Sequence, residues 1–189
     1  MVRSRPHILI VGANPAWQVT LHFETLCFGE VNRAYSVAGV TGGKGVNAAT
    51  ALKQLGTDCT VLQFAGGDTG ERVCSDLHAR EIAHQTVTTH STTRTCTTLL
   101  SDDSGEMTEL IEPSNSVNQE EEDAFQQYFR ELVQDIDGVA ICGTHPPGVH
   151  DDFYSSLIYT AKDRAFIVLD TYKNAKAAFA AGAHMLKIN

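Results

Sequence analysis

The run Gly42-Gly43-Lys44-Gly45-Val46-Asn47, continuing into Ala48-Ala49-Thr50-Ala51-Leu52-Lys53-Gln54-Leu55-Gly56, joins a glycine-rich turn to a stretch of small and apolar residues with helical character. Glycines at 42, 43 and 45 let the backbone pass close to a ligand with its amides outward, and a helix that follows directly adds positive potential at its N-terminus. Such a turn suits hydroxyls or an anion. Its spacing excludes two common phosphate cradles. A Walker loop requires G-x-x-x-x-G-K-[ST], but its first glycine would fall on Ala38, and the residue after Lys44 is Gly45, which has no hydroxyl for Mg²⁺. A dinucleotide fingerprint requires G-x-G-x-x-G after the first apolar run, whereas Ile8-Leu9-Ile10-Val11-Gly12 leads into Asn14-Pro15-Ala16.

Outward from this turn, short apolar runs alternate with helical patterns. Strands are expected at residues 7 to 12, 59 to 64, 137 to 142 and 165 to 170, with a short fifth at 184 to 188. Helices are expected at 44 to 55, 70 to 80, 119 to 135, 151 to 163 and 174 to 181. In the third of these, Phe125, Phe129, Leu132, Val133 and Ile136 form one apolar stripe, and Asn118 with Glu121 fits a capping box. Strand and helix in alternation imply an α/β fold with a mostly parallel sheet covered on both faces. Two segments break the rhythm, 18 to 37 and 86 to 111. In the second, Thr95-Cys96-Thr97-Thr98-Leu99-Leu100, the turn Asp103-Ser104-Gly105 and Glu106-Met107-Thr108-Glu109-Leu110-Ile111 read as a hairpin. Such a hairpin cannot enter a parallel sheet without a crossover, so both segments are assigned to a small separate sheet.

Bulk properties bound the function. At 189 residues, 42% hydrophobic and 20% charged, the chain has the composition of a soluble protein able to bury a sizeable core, and one domain over 1–189 is the default. No apolar run approaches a membrane span, and the first seven residues lack the apolar stretch of a signal peptide, so a cytoplasmic location is expected. The five cysteines, at 27, 59, 74, 96 and 142, never stand in C-x-x-C spacing and are read as reduced thiols. The eight histidines show no metal-ligand spacing, so no metal site is assigned to this chain's own residues, and His145 is read as a core or loop histidine. A formal charge of −9 argues against nucleic acid as a partner. An anionic substrate must then be held by a few placed cations.

From Asn14 onward the sequence resembles the ribokinase/PfkB family of carbohydrate kinases, and within it the phosphosugar branch of 1-phosphofructokinases, tagatose-6-phosphate kinases and PfkB-type 6-phosphofructokinases. The resemblance is carried by Asn14-Pro15-Ala16, Gly29-Glu30-Val31-Asn32-Arg33, the run Gly42 to Asn47, Ala65-Gly66-Gly67-Asp68-Thr69-Gly70 and Thr93-Arg94. It continues through Ile141-Cys142-Gly143-Thr144-His145-Pro146-Pro147-Gly148, Val168-Leu169-Asp170 and Leu186-Lys187-Ile188-Asn189. It implies a ribokinase-like, Rossmann-type three-layer α/β/α fold whose small sheet is a lid, often clasped between subunits into a homodimer. It implies transfer of the γ-phosphoryl of ATP, with Mg²⁺, to a hydroxyl of a sugar or sugar phosphate.

The resemblance assigns Arg33, Lys44 and Arg94 to the phosphate already on the substrate. It assigns Asn14, Gly42, Gly43 and Asn47, with Thr144, to the sugar, and Lys187 and Asn189 to the nucleotide phosphates and metal-bound water. Gln18 stands where the family's N-P-A-x-D pattern has a hydroxyl-binding carboxylate, so a charged acceptor becomes a neutral amide. Cys142 and Thr144 replace the serines of S-G-S-L-P, and Ile188 the proline of K-P-N. The family's N-x-x-E would open at Asn189, and its D-T-x-G-A-G-D, which carries the base, is not in these residues. The chain therefore reads as truncated at its C-terminus, supplying substrate-binding and lid elements with no catalytic residue of its own. The competing readings are a non-catalytic sugar-binding or dimerising fragment derived from the same fold, and a small Rossmann-like nucleotide module.

Overall fold

His7–Val11 (β1) shows why a central sheet forms. Its side chains alternate in direction, as a strand requires, yet both sets are apolar. Leu9 and Val11 pack with Phe125, Phe129 and Ile158 on one side, and Ile8 and Ile10 with Val46, Ala49, Val73 and Leu77 on the other. A strand buried on both faces belongs in the middle of three layers.

The computed structural model describes residues 5–187. After β1 come β2 (Ala16–Phe23), β3 (Ser36–Gly42), α1 (Lys44–Gln54), β4 (Asp58–Ala65), α2 (Gly67–Ala79) and β5 (Ala83–Thr88). Then follow β6 (Thr95–Ser101), β7 (Met107–Ile111), α3 (Gln119–Leu132) with a 3-10 turn at Val133–Asp135, and β8 (Gly138–Cys142). The chain continues through α4 (Phe153–Ala161), β9 (Phe166–Asp170), α5 (Ala175–Ala180) and β10 (Met185–Leu186). Six strands pair in the order β10-β9-β8-β1-β4-β5, every pair parallel. Helices α1 and α2 cover one face, and α3, α4 and α5 the other. The remaining strands form a second sheet in the order β3-β2-β6-β7.

Two differences from the sequence reading bear on how the sheets are built. Residues 86 to 88 belong to β5, in the central sheet, because Thr86, Val87 and Thr88 pair with Gln63, Phe64 and Ala65 of β4. Their β-branched alternation is indistinguishable from that of the hairpin strands, and only the partner decides. The first segment of the small sheet runs past residue 37: β3 extends to Gly42, so the glycine run begins inside a strand. The capping box is present, with Asn118 Oδ1 accepting from Glu121 N–H at 2.9 Å and Glu121 Oε2 accepting from Asn118 N–H at 2.8 Å. Phe125 and Phe129 are fully buried beneath it.

The segment between β8 and α4 is tied to α3 by a buried carboxylate. Glu122, 1% exposed, accepts from the backbone N–H and from Nδ1 of His150, each at 3.0 Å. The Glu122 hydrogen bond and its charge raise the His150 pKa above the ordinary 6.5, against a small opposing effect of desolvation. The stability this adds is complete below pH 6.5 and is lost as pH rises through the higher folded-state value. The melting temperature of wild type minus that of His150→Ala should therefore be largest near pH 6 and shrink towards pH 8.5. A difference constant across that range would mean that the imidazolium contributes nothing.

Backbone contact holds α1 against the end of β1. Gly12, following β1, and Gly45, in the first turn of α1, touch so closely that a Cβ on Gly45 would stand 2.5 Å from the Gly12 Cα. Gly45→Ala should cost on the order of 2 kcal/mol, read as a lower urea midpoint with unchanged slope. An unchanged midpoint would show that the two segments separate freely.

Candidate functional site

The chain adds β4 and β5 on one side of β1 and β8, β9 and β10 on the other. In an open parallel sheet, the crevice at the C-terminal strand ends where this direction reverses is the natural ligand position. A pocket of about 150 Å³ lies there. Gly12 and Asn14 reach it from the end of β1, Cys142, Gly143 and Thr144 from the end of β8, and Thr171 from the end of β9. Gly42, Gly43, Lys44, Gly45 and Val46 bring the start of α1 to the same space, and Arg94 completes its lining beside Pro15 and Tyr172.

The glycine turn leaves the α1 terminus open. Gly43 is the N-cap at φ 111°, in a region that side chains rarely adopt, and no side chain caps the helix. The first turn holds no acidic residue. Its amides and the positive end of its dipole are thus presented to whatever the pocket binds.

Arg94 is placed by the loop before β6. Thr93 N–H donates to the Gly66 carbonyl at 2.8 Å, Gly66 N–H donates to Thr93 Oγ1 at 3.1 Å, and Thr69 Oγ1 donates to the Thr93 carbonyl at 2.5 Å. The Arg94 carbonyl accepts from Trp17 N–H at 3.0 Å, which joins this loop to β2. Its Nε is buried and has no hydrogen-bond partner among the described residues. Asn14 is held more fully: its Nδ2 donates to Ser114 Oγ at 2.8 Å and lies 3.4 Å from Thr144 Oγ1, while Ser114 Oγ donates to Asn14 Oδ1 at 3.0 Å.

Lys44 lines the pocket with its stem, but its Nζ pairs with Asp170 Oδ1 at 2.9 Å. The other Asp170 oxygen lies 3.5 Å from Lys187 Nζ. Asp170 thus joins two lysines at the end of β9. Burial pushes the Cys142 thiol up to about 12, with Asp170 adding to the shift and Lys44 and Lys187 opposing it. Cys142 is therefore a protonated wall of the pocket, not a nucleophile. His145 is a core residue, 6% exposed, set edge-on against Tyr154 and Phe153 with Nδ1 3.0 Å from the Pro146 carbonyl. Burial holds its pKa below the ordinary value, with the Pro146 hydrogen bond working the other way.

Of the residues expected at the site, Asn14, Gly42, Gly43, Lys44, Arg94 and Thr144 come together in this pocket. Gln18, Arg33, Asn47 and Lys187 do not line it. Gln18 lies beside it in β2, donating from Nε2 to Thr98 Oγ1 at 2.8 Å, with its Oε1 3.5 Å from where a Gly42 Cβ would stand. Arg33 is exposed in the loop between β2 and β3, and Asn47 is exposed on α1, whose first hydrogen bond runs from its N–H to the Gly43 carbonyl at 3.0 Å. Asn189 lies outside the described residues. Sequence reasoning did not assign a role to Asp170, although a carboxylate closing a parallel strand is the available signal. Ser114 carried no signal, because its partner Asn14 is 100 positions away.

Residues 7–189 match the family model described as pfkB family carbohydrate kinase. Phosphofructokinase-2 from Escherichia coli, solved in complex with fructose-6-phosphate, superposes with a TM-score of 0.86 at 25% identity, over 96% of this chain and 60% of that one. The tetrameric inhibited form of the same enzyme gives 0.86 at 26% identity, over 97% and 61%. A Thermotoga maritima protein described as a possible 1-phosphofructokinase gives 0.90 at 22% identity, over 97% and 60%, a likeness of fold. The chain thus spans about 60% of the length of the solved structures it matches. Its central parallel sheet between helices, with a second small sheet, is the ribokinase-like fold of these neighbours. The chain belongs to the pfkB family of carbohydrate kinases.

Proposed function

We propose that the pocket holds a phosphorylated ketohexose as the acceptor in an ATP-dependent phosphoryl transfer, with this chain contributing the acceptor side of the reaction. The observation that carries this reading is the buried Arg94 Nε without a partner, on a side chain lining a pocket closed by the uncapped start of α1. A buried donor left unpaired costs about 1–3 kcal/mol, and a bound phosphate removes that cost with a charge-assisted bond. The fructose-6-phosphate complex of the E. coli relative supports the choice of substrate class.

In this reading Arg94 holds the phosphate already on the sugar. Asn14, kept in one orientation by Ser114 and close to Thr144, and the Gly42 and Gly43 amides orient the hydroxyls. ATP, bound with Mg²⁺, supplies the γ-phosphoryl group. The exposed ammonium groups of Lys44 and Lys187, gathered on Asp170 at the strand ends, suit the phosphates of that nucleotide, and Asp170 is the carboxylate at that edge for a metal that binds largely through substrate phosphates. Protection of the acceptor from water falls to the small sheet, which acts as a lid formed mainly by residues 16 to 42 and 95 to 111.

In a protein that joins these residues to the family's phosphoryl-transfer motifs, ADP release should be seen with fructose 6-phosphate, fructose 1-phosphate or tagatose 6-phosphate and be much weaker with unphosphorylated hexoses; equal rates would remove the phosphate-clamp reading. There Arg94→Ala should raise KM for the phosphorylated sugar by roughly thirtyfold, about 2 kcal/mol, with little change for a free hexose.

The small sheet also supports a homodimer. Val40, Gln18, Cys96 and Ile111 stand opposite one another in a row across its four strands, so they share a face. The row is bounded by exposed Val40 and Ile111, and Met107 is exposed on the same face. Exposed apolar side chains at both edges of one sheet face favour self-association. Ile111→Asp should shift the protein from dimer to monomer in sedimentation at micromolar concentration without changing its circular dichroism. A monomeric wild type would remove the dimer from the reading.

A further inference from the structure

Behind the glycine turn, and outside the pocket, runs a network that the sequence reading left unused. Thr41 precedes the turn, is 3% exposed, and belongs to β3, an edge strand. Its N–H donates outward to Asp76 Oδ2 of α2 at 3.0 Å, and its Oγ1 donates to the Val73 carbonyl at 3.2 Å. The same Asp76 oxygen accepts from Arg80 Nη1 at 3.1 Å. Arg80 Nη2 donates to Thr50 Oγ1 of α1 at 2.5 Å, and that hydroxyl donates to the Val46 carbonyl at 2.8 Å. Helix α2 therefore grips the chain on both sides of Gly42-Gly43, before it at Thr41 and after it at Thr50.

The turn needs such anchors. Glycine gives up more backbone freedom on ordering than any other residue, and no side chain caps α1 from within. Asp76 and Arg80 are 20% and 27% exposed, partly withdrawn from solvent. Burial works to raise the Asp76 pKa, but hydrogen bonds from Thr41 and Arg80 outweigh it and hold the carboxyl below its usual range, so the acceptor stays ionised.

We propose that Asp76, oriented by Arg80, is a positioning residue that fixes the Gly42-Gly43 turn and thereby sets the affinity of the pocket for its acceptor, although neither side chain lines it. The proposal rests on reading the pocket as an acceptor site. Its mechanical half can be measured without any ligand.

Hydrogen exchange on the free protein reads the turn directly. In Asp76→Ala the amides of Gly42, paired in β3, and Asn47, bonded to the Gly43 carbonyl, should exchange at least about tenfold faster than in wild type, while those of β8 and β9 keep their rates. Calorimetric titration with fructose 6-phosphate should show a Kd raised about tenfold. Asp76→Asn retains an acceptor for the Thr41 N–H and should recover part of both effects, and it replaces the alanine variant if that fails to fold. Leu157→Ala, in α4 on the opposite face of the sheet, controls for lost stability: it should lower the melting temperature and leave exchange at Gly42 and Asn47 and sugar affinity unchanged. Unaltered exchange at the turn, an unaltered Kd, or an equal loss of affinity in Leu157→Ala overturns the proposal. If wild type binds no phosphorylated ketohexose, the acceptor reading falls, and the exchange measurement alone then decides whether Asp76 fixes the turn.

Discussion

The contact of Gly12 with Gly45 is the constraint on which the site depends. Two backbones meet where any Cβ would collide, so the end of β1 and the first turn of α1 lie against each other over the crevice between β1 and β8. This approach brings the open N-terminus of α1 to the point where the strand order reverses. It also brings Lys44 within reach of Asp170, across two strands of the sheet. A side chain at either glycine would lift the helix away, and the amides, Asn14 and Thr144 would no longer share one space.

Charge in the site is placed sparingly. The chain carries a formal charge of −9, so its overall field does not attract an anion. In the proposed acceptor reading, attraction comes from Arg94 and the helix terminus, while the Lys44 ammonium is occupied by Asp170. The unpaired Arg94 Nε is an energetic defect of the protein alone and an asset to one that binds phosphate. Away from the pocket Glu122 is satisfied by His150 and Gln126, and Glu121 by its capping box and the His90 N–H, while Gln63 Oε1 in β4 is a second buried atom without a partner among the described residues.

Legibility varied with the range of the interaction. The α3 cap was readable because its two partners are three residues apart, and the apolar stripe because helical period repeats locally. The β6-β7 hairpin was readable for the same reason. The end of β5 was not, since a Thr-Val-Thr alternation fits either sheet until β4 supplies a partner. Asp76 gave no sign at all: its i,i+4 relation to Arg80 resembles an ordinary surface pair, and its role depends on Thr41, which lies 35 positions away.

By itself the sequence determined the alternation of strand and helix, the family, and the cluster of motifs from which Asn14, the glycine turn, Arg94 and Thr144 were selected. These follow from spacing and residue type, which need no knowledge of neighbours in space. Packing in three dimensions was needed to show that Lys44 pairs with Asp170, that Arg33, Asn47 and Gln18 stand off the pocket wall, and that Asp76 of α2 bonds to Thr41 behind the turn. Those outcomes depend on which segments pack together across tens of residues, and that is set by burial and register across the whole sheet, with no local pattern to announce it.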